Sequence, residues 1–151
     1  MKTPSALTNL ARQITLLNEQ WGQFLETELE QRPGPGRWTK KEIVGHLIDS
    51  AANNHRRFVL AQLLKDSTPK LLPYDQNAWV RTAGYQHMPS TELLTLWTSY
   101  NRFLLHFLGQ IPEPALAAEC SVFNGTPITL DWLIDDYVLH LEHHVHQIIT
   151  E

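Results

Sequence analysis

The stretch TKKEIVGHLIDSAANNHRRF, residues 39–58, decides how the rest of the chain is read. Thr39 and Glu42 stand at the spacing of a capping box, in which each side chain satisfies an orphan backbone amide at a helix start. Behind that start, Ile43, Leu47, Ala51 and Phe58 share one arc of a wheel advancing about 100° per residue, so the helix turns a face to a core. Beside the arc, His46, Ser50, Asn53 and Arg57 lie within about 40° of one another, with Asp49 about 60° to one side. A helix that only fills a core does not normally carry such a polar line at the edge of its buried face. The helix is expected to reach about Asp66 and to build a site as well as a bundle.

Working outward, Arg32-Pro33-Gly34-Pro35-Gly36 stops any helix that precedes it. Before it, Leu7, Leu10, Ile14, Leu17, Trp21, Phe24, Leu25 and Leu29 recur at threes and fours, which predicts a first helix over about 5–31. Beyond the second helix, residues 67–88 hold Pro69, Pro73 and Gly84 and read as a long ordered connection with one helical turn near 77–81. A third helix is expected from Ser90, as N-cap, to about Gln110. Three prolines and Asn124-Gly125 follow, the latter a two-residue hairpin signal, and the last helix starts near Thr129. Four long helices without a strand pattern predict an all-α fold, a four-helix bundle, as one domain over residues 1–151. A short first connection makes helices one and two antiparallel neighbours. A second connection of about twenty residues can return along the bundle, which gives an up-down-down-up order.

Composition narrows the function. With 151 residues, 42% hydrophobic and 19% charged, the chain can bury an ordinary core. Twelve Lys and Arg against sixteen Asp and Glu leave a net charge of −4 and no basic run, which excludes nucleic acid or an anionic membrane surface as main partner. The single cysteine, Cys120, forms no internal disulfide and no thiolate zinc cluster, and it lacks a basic or metal neighbour that would activate it. No apolar run reaches membrane-span length and Met1–Ser5 has no h-region, so a cytoplasmic setting is expected.

Four of the eight histidines fall between His140 and His146. His140 and His144 are four apart and share the face of Leu133, Tyr137, Leu141 and Ile148, whereas His143 lies about 60° aside and His146 roughly opposite. A His-x3-His pair on a helix presents two imidazoles to one metal ion. His46 and His144 sit at comparable depths, His46 roughly 10 Å from its helix start, so antiparallel packing of these helices puts three imidazoles in one layer. Three neutral nitrogens plus an open position is the layout of a catalytic zinc site. Asp49, Asn53, Arg57, Tyr74 and Asp75 are the polar candidates around it, with Arg57 suited to grip a carboxylate of a cofactor. Trp21, Trp97, Trp132 and Phe103 read as packing, Trp38 as a plug of the bundle end, and His55, His87 and His106 as surface or loop residues.

At these residues the chain resembles the DinB/YfiT-like superfamily. The resemblance is carried by Pro35-Gly36-Arg37-Trp38-Thr39, His46-Leu47-Ile48-Asp49-Ser50, Arg57-Phe58, Pro73-Tyr74-Asp75-Gln76 with Trp79, and His140-x3-His144 with Ile148. It implies a four-helix bundle, a homodimer, and a divalent ion, zinc or nickel, on His46, His140 and His144. It also implies a metal-dependent thiol S-transferase or hydrolase acting on a small molecule, with a low-molecular-weight thiol as co-substrate. The alternative is a non-catalytic, metal-stabilised bundle that binds or senses a small molecule.

Overall fold

A computed structural model describes residues 1–122 and 125–151. Its long helices are α1 (Thr3–Trp21), α3 (Lys40–Leu63), α5 (Ser90–Gly109) and α6 (Leu130–Thr150), with two shorter ones, α2 (Glu26–Glu30) and α4 (Gln76–Ala83). Capping chemistry sets several of these starts. Thr39 Oγ1 accepts from Glu42 N at 3.2 Å while Thr39 N donates to the Glu42 carboxylate at 2.9 Å, the reciprocal pair expected from the sequence. Thr129 Oγ1 accepts from Trp132 N at 3.1 Å, and Asp75 Oδ1 accepts from Ala78 N at 3.0 Å to start α4. Gly84 ends α4 in the left-handed region at φ 67°, where a side chain is strained.

The helix directions follow from cross-bundle contacts. Thr3 meets Asp131 at the starts of α1 and α6, and Asn9 and Gln13 meet Glu142 further along, so α1 and α6 are parallel. Lys40 at the start of α3 reaches the Ile148 carbonyl at the end of α6, so these two run antiparallel. His55 meets Tyr100 and Phe107, while the starts of α3 and α5 share Glu26 through Lys41 and Ser90, so α3 and α5 are parallel. The order is up-down-down-up. The four-helix bundle read from the sequence is the fold.

Several details differ. The first helix stops at Trp21, and Leu25, in extended conformation, begins the separate α2 with its N–H on the Glu28 carboxylate. α1 packs against α5 and α6, and α3 packs against the same two, so α1 and α3 are antiparallel across the diagonal and not neighbours. Residues 22–39, which include α2, are long enough to cross the bundle end. Ser90 is not an N-cap: it lies inside α5, and its hydroxyl donates to Glu26 Oε2. Trp132 and Phe103 are 38% and 44% exposed and do not fill the core, whereas Trp97 and Trp21 do. His55 is half-buried among Tyr100, Phe103 and Phe107.

In the third connection, β1 (Glu119–Ser121) pairs antiparallel with β2 (Pro127–Thr129). Ser121 opposite Pro127 closes a link over residues 122–126, wider than a two-residue turn; Asn124 itself lies outside the described residues. Leu71 N donates to Ser121 O at 2.7 Å and Ser121 N to Pro69 O at 2.9 Å, which ties the second connection to the third. That tie holds the segment after Leu71 against α3. No helix among the described residues is long and apolar enough to cross a membrane.

Candidate metal centre

α3 and α6 bring His46, His140 and His144 together, with one ligating nitrogen from each inside a 4.8 Å sphere of separations. Ring centroids lie 4.9 Å apart for His46–His140, 4.8 Å for His46–His144 and 4.7 Å for His140–His144. His46 Nε2 and His140 Nε2 are 3.1 Å apart. Two nitrogens about 2.0–2.1 Å from one ion, at octahedral to tetrahedral angles, sit roughly 2.9–3.4 Å apart, so this pair already has ligand spacing. His144 Nδ1 donates to Gln147 Oε1 at 2.8 Å, which fixes the tautomer and leaves Nε2 with its lone pair free.

The electrostatics agree. Burial first, and then the neighbouring imidazoles, push His46 down to about 3 and His140 to about 4, while His144 is lowered mainly by burial. All three are neutral at physiological pH, the form that ligates metal. The donor set and its geometry fit a divalent ion. His143 and His146 are exposed and take no part.

Trp38 is a wall of this centre, not merely a plug at the bundle end. Its ring stacks on His46 at 4.7 Å between centroids with 30° between planes, and it lies 6.4 Å from His144. The Thr39 cap that starts α3 also sets the position of Trp38 immediately before it.

The other sequence candidates separate into two groups. Arg57 and Tyr74 line a cleft of about 160 Å³ that His140 also lines, together with Ser50, Asn54 and Asp136. Asp49 and Asn53 do not line it. Asp49 is buried and accepts from Tyr85 Oη at 2.6 Å; burial raises its carboxyl, and the tyrosine opposes that rise. Asn53 donates to the Asp49 carbonyl one turn back. Asp75 is the exposed α4 cap described above. Asn54 lines this cleft, and Asn53 lines an adjoining one with Arg57 and Tyr74.

Besides Asn54 and Gln147, three neighbours escaped the sequence reading. Asp136 stands one turn before His140 on α6, a spacing that was visible. Burial and Asp135 raise its carboxyl, and Arg57 opposes the rise. Tyr85 holds Asp49, and Gly45 makes room for it: a Cβ at Gly45 would lie 2.0 Å from Tyr85 Cδ2. Only the fold shows those two. Glu142, between the ligands, faces α1 and accepts from Asn9 at 2.9 Å.

Fold and site together define the class: an up-down-down-up four-helix bundle with a three-histidine candidate metal site between its second and last long helices. The chain belongs to the DinB superfamily, whose pattern matches residues 9–148. A Bacillus pumilus protein provisionally named a metal-dependent hydrolase is 25% identical over 148 residues, covering 95% of this chain and 83% of its own. YfiT of Bacillus subtilis, named in the same provisional way, is 28% identical over 121 residues, covering 80% and 67%. The solved YfiT structure superposes with a TM-score of 0.84 at 24% identity, covering 97% of this chain and 83% of that one. The mycothiol-dependent maleylpyruvate isomerase shares the fold at a TM-score of 0.77 and 13% identity, over 98% of this chain and 61% of that one.

Proposed function

We propose that this protein is a metal-dependent enzyme, a thiol S-transferase or hydrolase acting on a small molecule. The observation that carries this reading is the convergence of three neutral imidazoles beside a polar cleft. His46, His140 and His144 would hold zinc or nickel, which would supply a nucleophile near neutral pH by lowering the pKa of a thiol or water. The chain's own residues do the rest. Gln147 orients His144, and Trp38 stacked on His46 keeps water from that side. Asp136, one turn from His140 and lining the cleft, is placed to take the proton that the nucleophile gives up. Tyr74, its hydroxyl kept protonated by burial, is a hydrogen-bond donor on the facing wall. The relatives' names favour hydrolysis, and the isomerase of the same fold favours a thiol co-substrate. A small-molecule substrate and a cytoplasmic setting accompany this reading.

The test is turnover by zinc- and nickel-loaded protein with two substrate pairs: cysteine plus 1-chloro-2,4-dinitrobenzene for thiol transfer, and p-nitrophenyl acetate for hydrolysis. The expected result is a rate at least about tenfold above metal-free protein in one assay, falling about 10²-fold or more in Asp136→Asn. Equal rates with and without bound metal in both assays contradict the enzyme reading and leave a metal-stabilised binding bundle.

A further inference from the structure

Arg57 is a buried cation without a close ion-pair partner among the described residues, although Asp136 lines the same cleft. Arg57 is 8% exposed, yet among the described residues no ion pair includes it. Its Nη2 donates to the Leu72 carbonyl at 2.9 Å and its Nη1 weakly to Asn54 Oδ1 at 3.4 Å. Its Nε is fully buried with no partner. A guanidinium has five N–H donors, so at least three are left over. Taking a cation out of water is costly unless a counter-charge compensates it; burial lowers this guanidinium's affinity for its proton, and Tyr74 and Asp136 oppose that shift without closing an ion pair.

We propose that the cleft is a carboxylate-binding subsite, in which Arg57 grips the carboxylate of a small substrate or thiol whose other end reaches the three-histidine centre. The inference rests on the metal-centre reading for the role of that far end. Four features define the ligand. The cleft joins Arg57 to His140, so one molecule can touch both. Its volume of about 160 Å³ corresponds to roughly five waters at about 30 Å³ each, the size of a ligand of five to eight heavy atoms. The Tyr74 ring lies 5.8 Å from the guanidinium carbon and holds the fork against the 73–76 segment, while Leu72 fixes one of its edges. Asp136 on the α6 wall repels an anion and confines the carboxylate to the α3 side. A planar fork of this kind matches a carboxylate's two oxygens in a way that a lysine ammonium does not.

The experiment uses nitrogen-15-labelled protein, metal-free and zinc-loaded, titrated with 3-mercaptopropionate or its neutral analogue 3-mercaptopropanamide, following the Arg57 Nε–H cross-peak by NMR. The carboxylate is expected to move that cross-peak in both forms and to bind zinc-loaded protein at least about tenfold tighter than the amide. In Arg57→Lys the preference for the carboxylate should fall to within about threefold, with the melting temperature recorded to confirm folding. Equal affinities for the two ligands in folded wild-type protein, or a cross-peak that stays in place, overturn the proposal. A protein that takes up no zinc removes the metal-centre reading alone, because the metal-free titration still decides the role of Arg57.

Discussion

The α1–α5 and α3–α6 interfaces are built from helices of similar length, yet they are filled in opposite ways. On α1 and α5 the buried apolar side chains include Leu10, Ile14, Leu17 and Trp21 on the first and Leu93, Trp97, Leu104 and Leu108 on the second. A polar contact there is Asn18 donating to Thr98 Oγ1 at 2.9 Å. On α3, the helix that carries the site, the buried polar side chains include His46, Asp49, Ser50, Asn54 and Arg57. Three of these leave a buried atom unpartnered: His46 Nδ1, Asp49 Oδ2 and Arg57 Nε. On the other side the unpartnered buried atoms among the described residues are the indole nitrogens of Trp21 and Trp97. One interface supplies stability, and the other gives up part of it to hold a site.

The largest expected effect breaks the apolar side alone. Trp97 is fully buried. Trp97→Ala should cost about 3–5 kcal/mol in urea unfolding, leaving metal stoichiometry unchanged in the folded fraction. A loss below about 1 kcal/mol would mean that the apolar interface does not dominate stability.

The next effect comes from the polar side and needs no substitution. In metal-free protein His46 titrates at about 3 and His140 at about 4, against an ordinary 6.5. Between those values and pH 6.5 the folded state binds fewer protons than the unfolded chain, so stability is full above pH 6.5 and is lost as pH falls. Urea unfolding of metal-free protein at pH 7 and pH 5.5 should differ by about 2–3 kcal/mol from these groups. A flat profile would contradict neutral, buried imidazoles.

Two smaller changes sharpen the contrast by loosening the support of α3. Gly45→Ala drives a Cβ into the Tyr85 ring and should cost about 1–3 kcal/mol by thermal or urea unfolding. A neutral result would show that Tyr85 can leave its seat freely. Tyr85→Phe removes only the hydroxyl on Asp49 and should cost about 1 kcal/mol, raising the Asp49 carboxyl further as seen by carbon-13 NMR titration. An unmoved Asp49 titration would contradict that contact.

What the sequence disclosed follows from the physics that fixed each feature. Caps and helical periodicity are local, so Thr39, Thr129 and the four long helices were legible, as was the pairing of His140 with His144. Up-down-down-up order was also legible, because it depends on connection lengths. The diagonal placement of α1 and α3 was not, because the break after Trp21 that starts the crossing has no proline to announce it. A wheel placed Asn53 in the polar line, but an angle does not say which neighbour comes close; Asn54 is the one that shares a cleft with His140, and Asn53 lines the adjoining one. The stacking of Trp38 on His46 and the seat of Tyr85 on Gly45 are contacts between distant elements, invisible to spacing.

Metal content tests the central claim most directly. Inductively coupled plasma mass spectrometry on tag-free wild-type protein and on His144→Ala, both confirmed helical by circular dichroism, should find about one zinc or nickel per wild-type chain and loss of that ion in the variant. Wild-type protein without bound metal and without a thermal shift on added zinc or nickel would contradict the account, as would a variant that keeps its full complement.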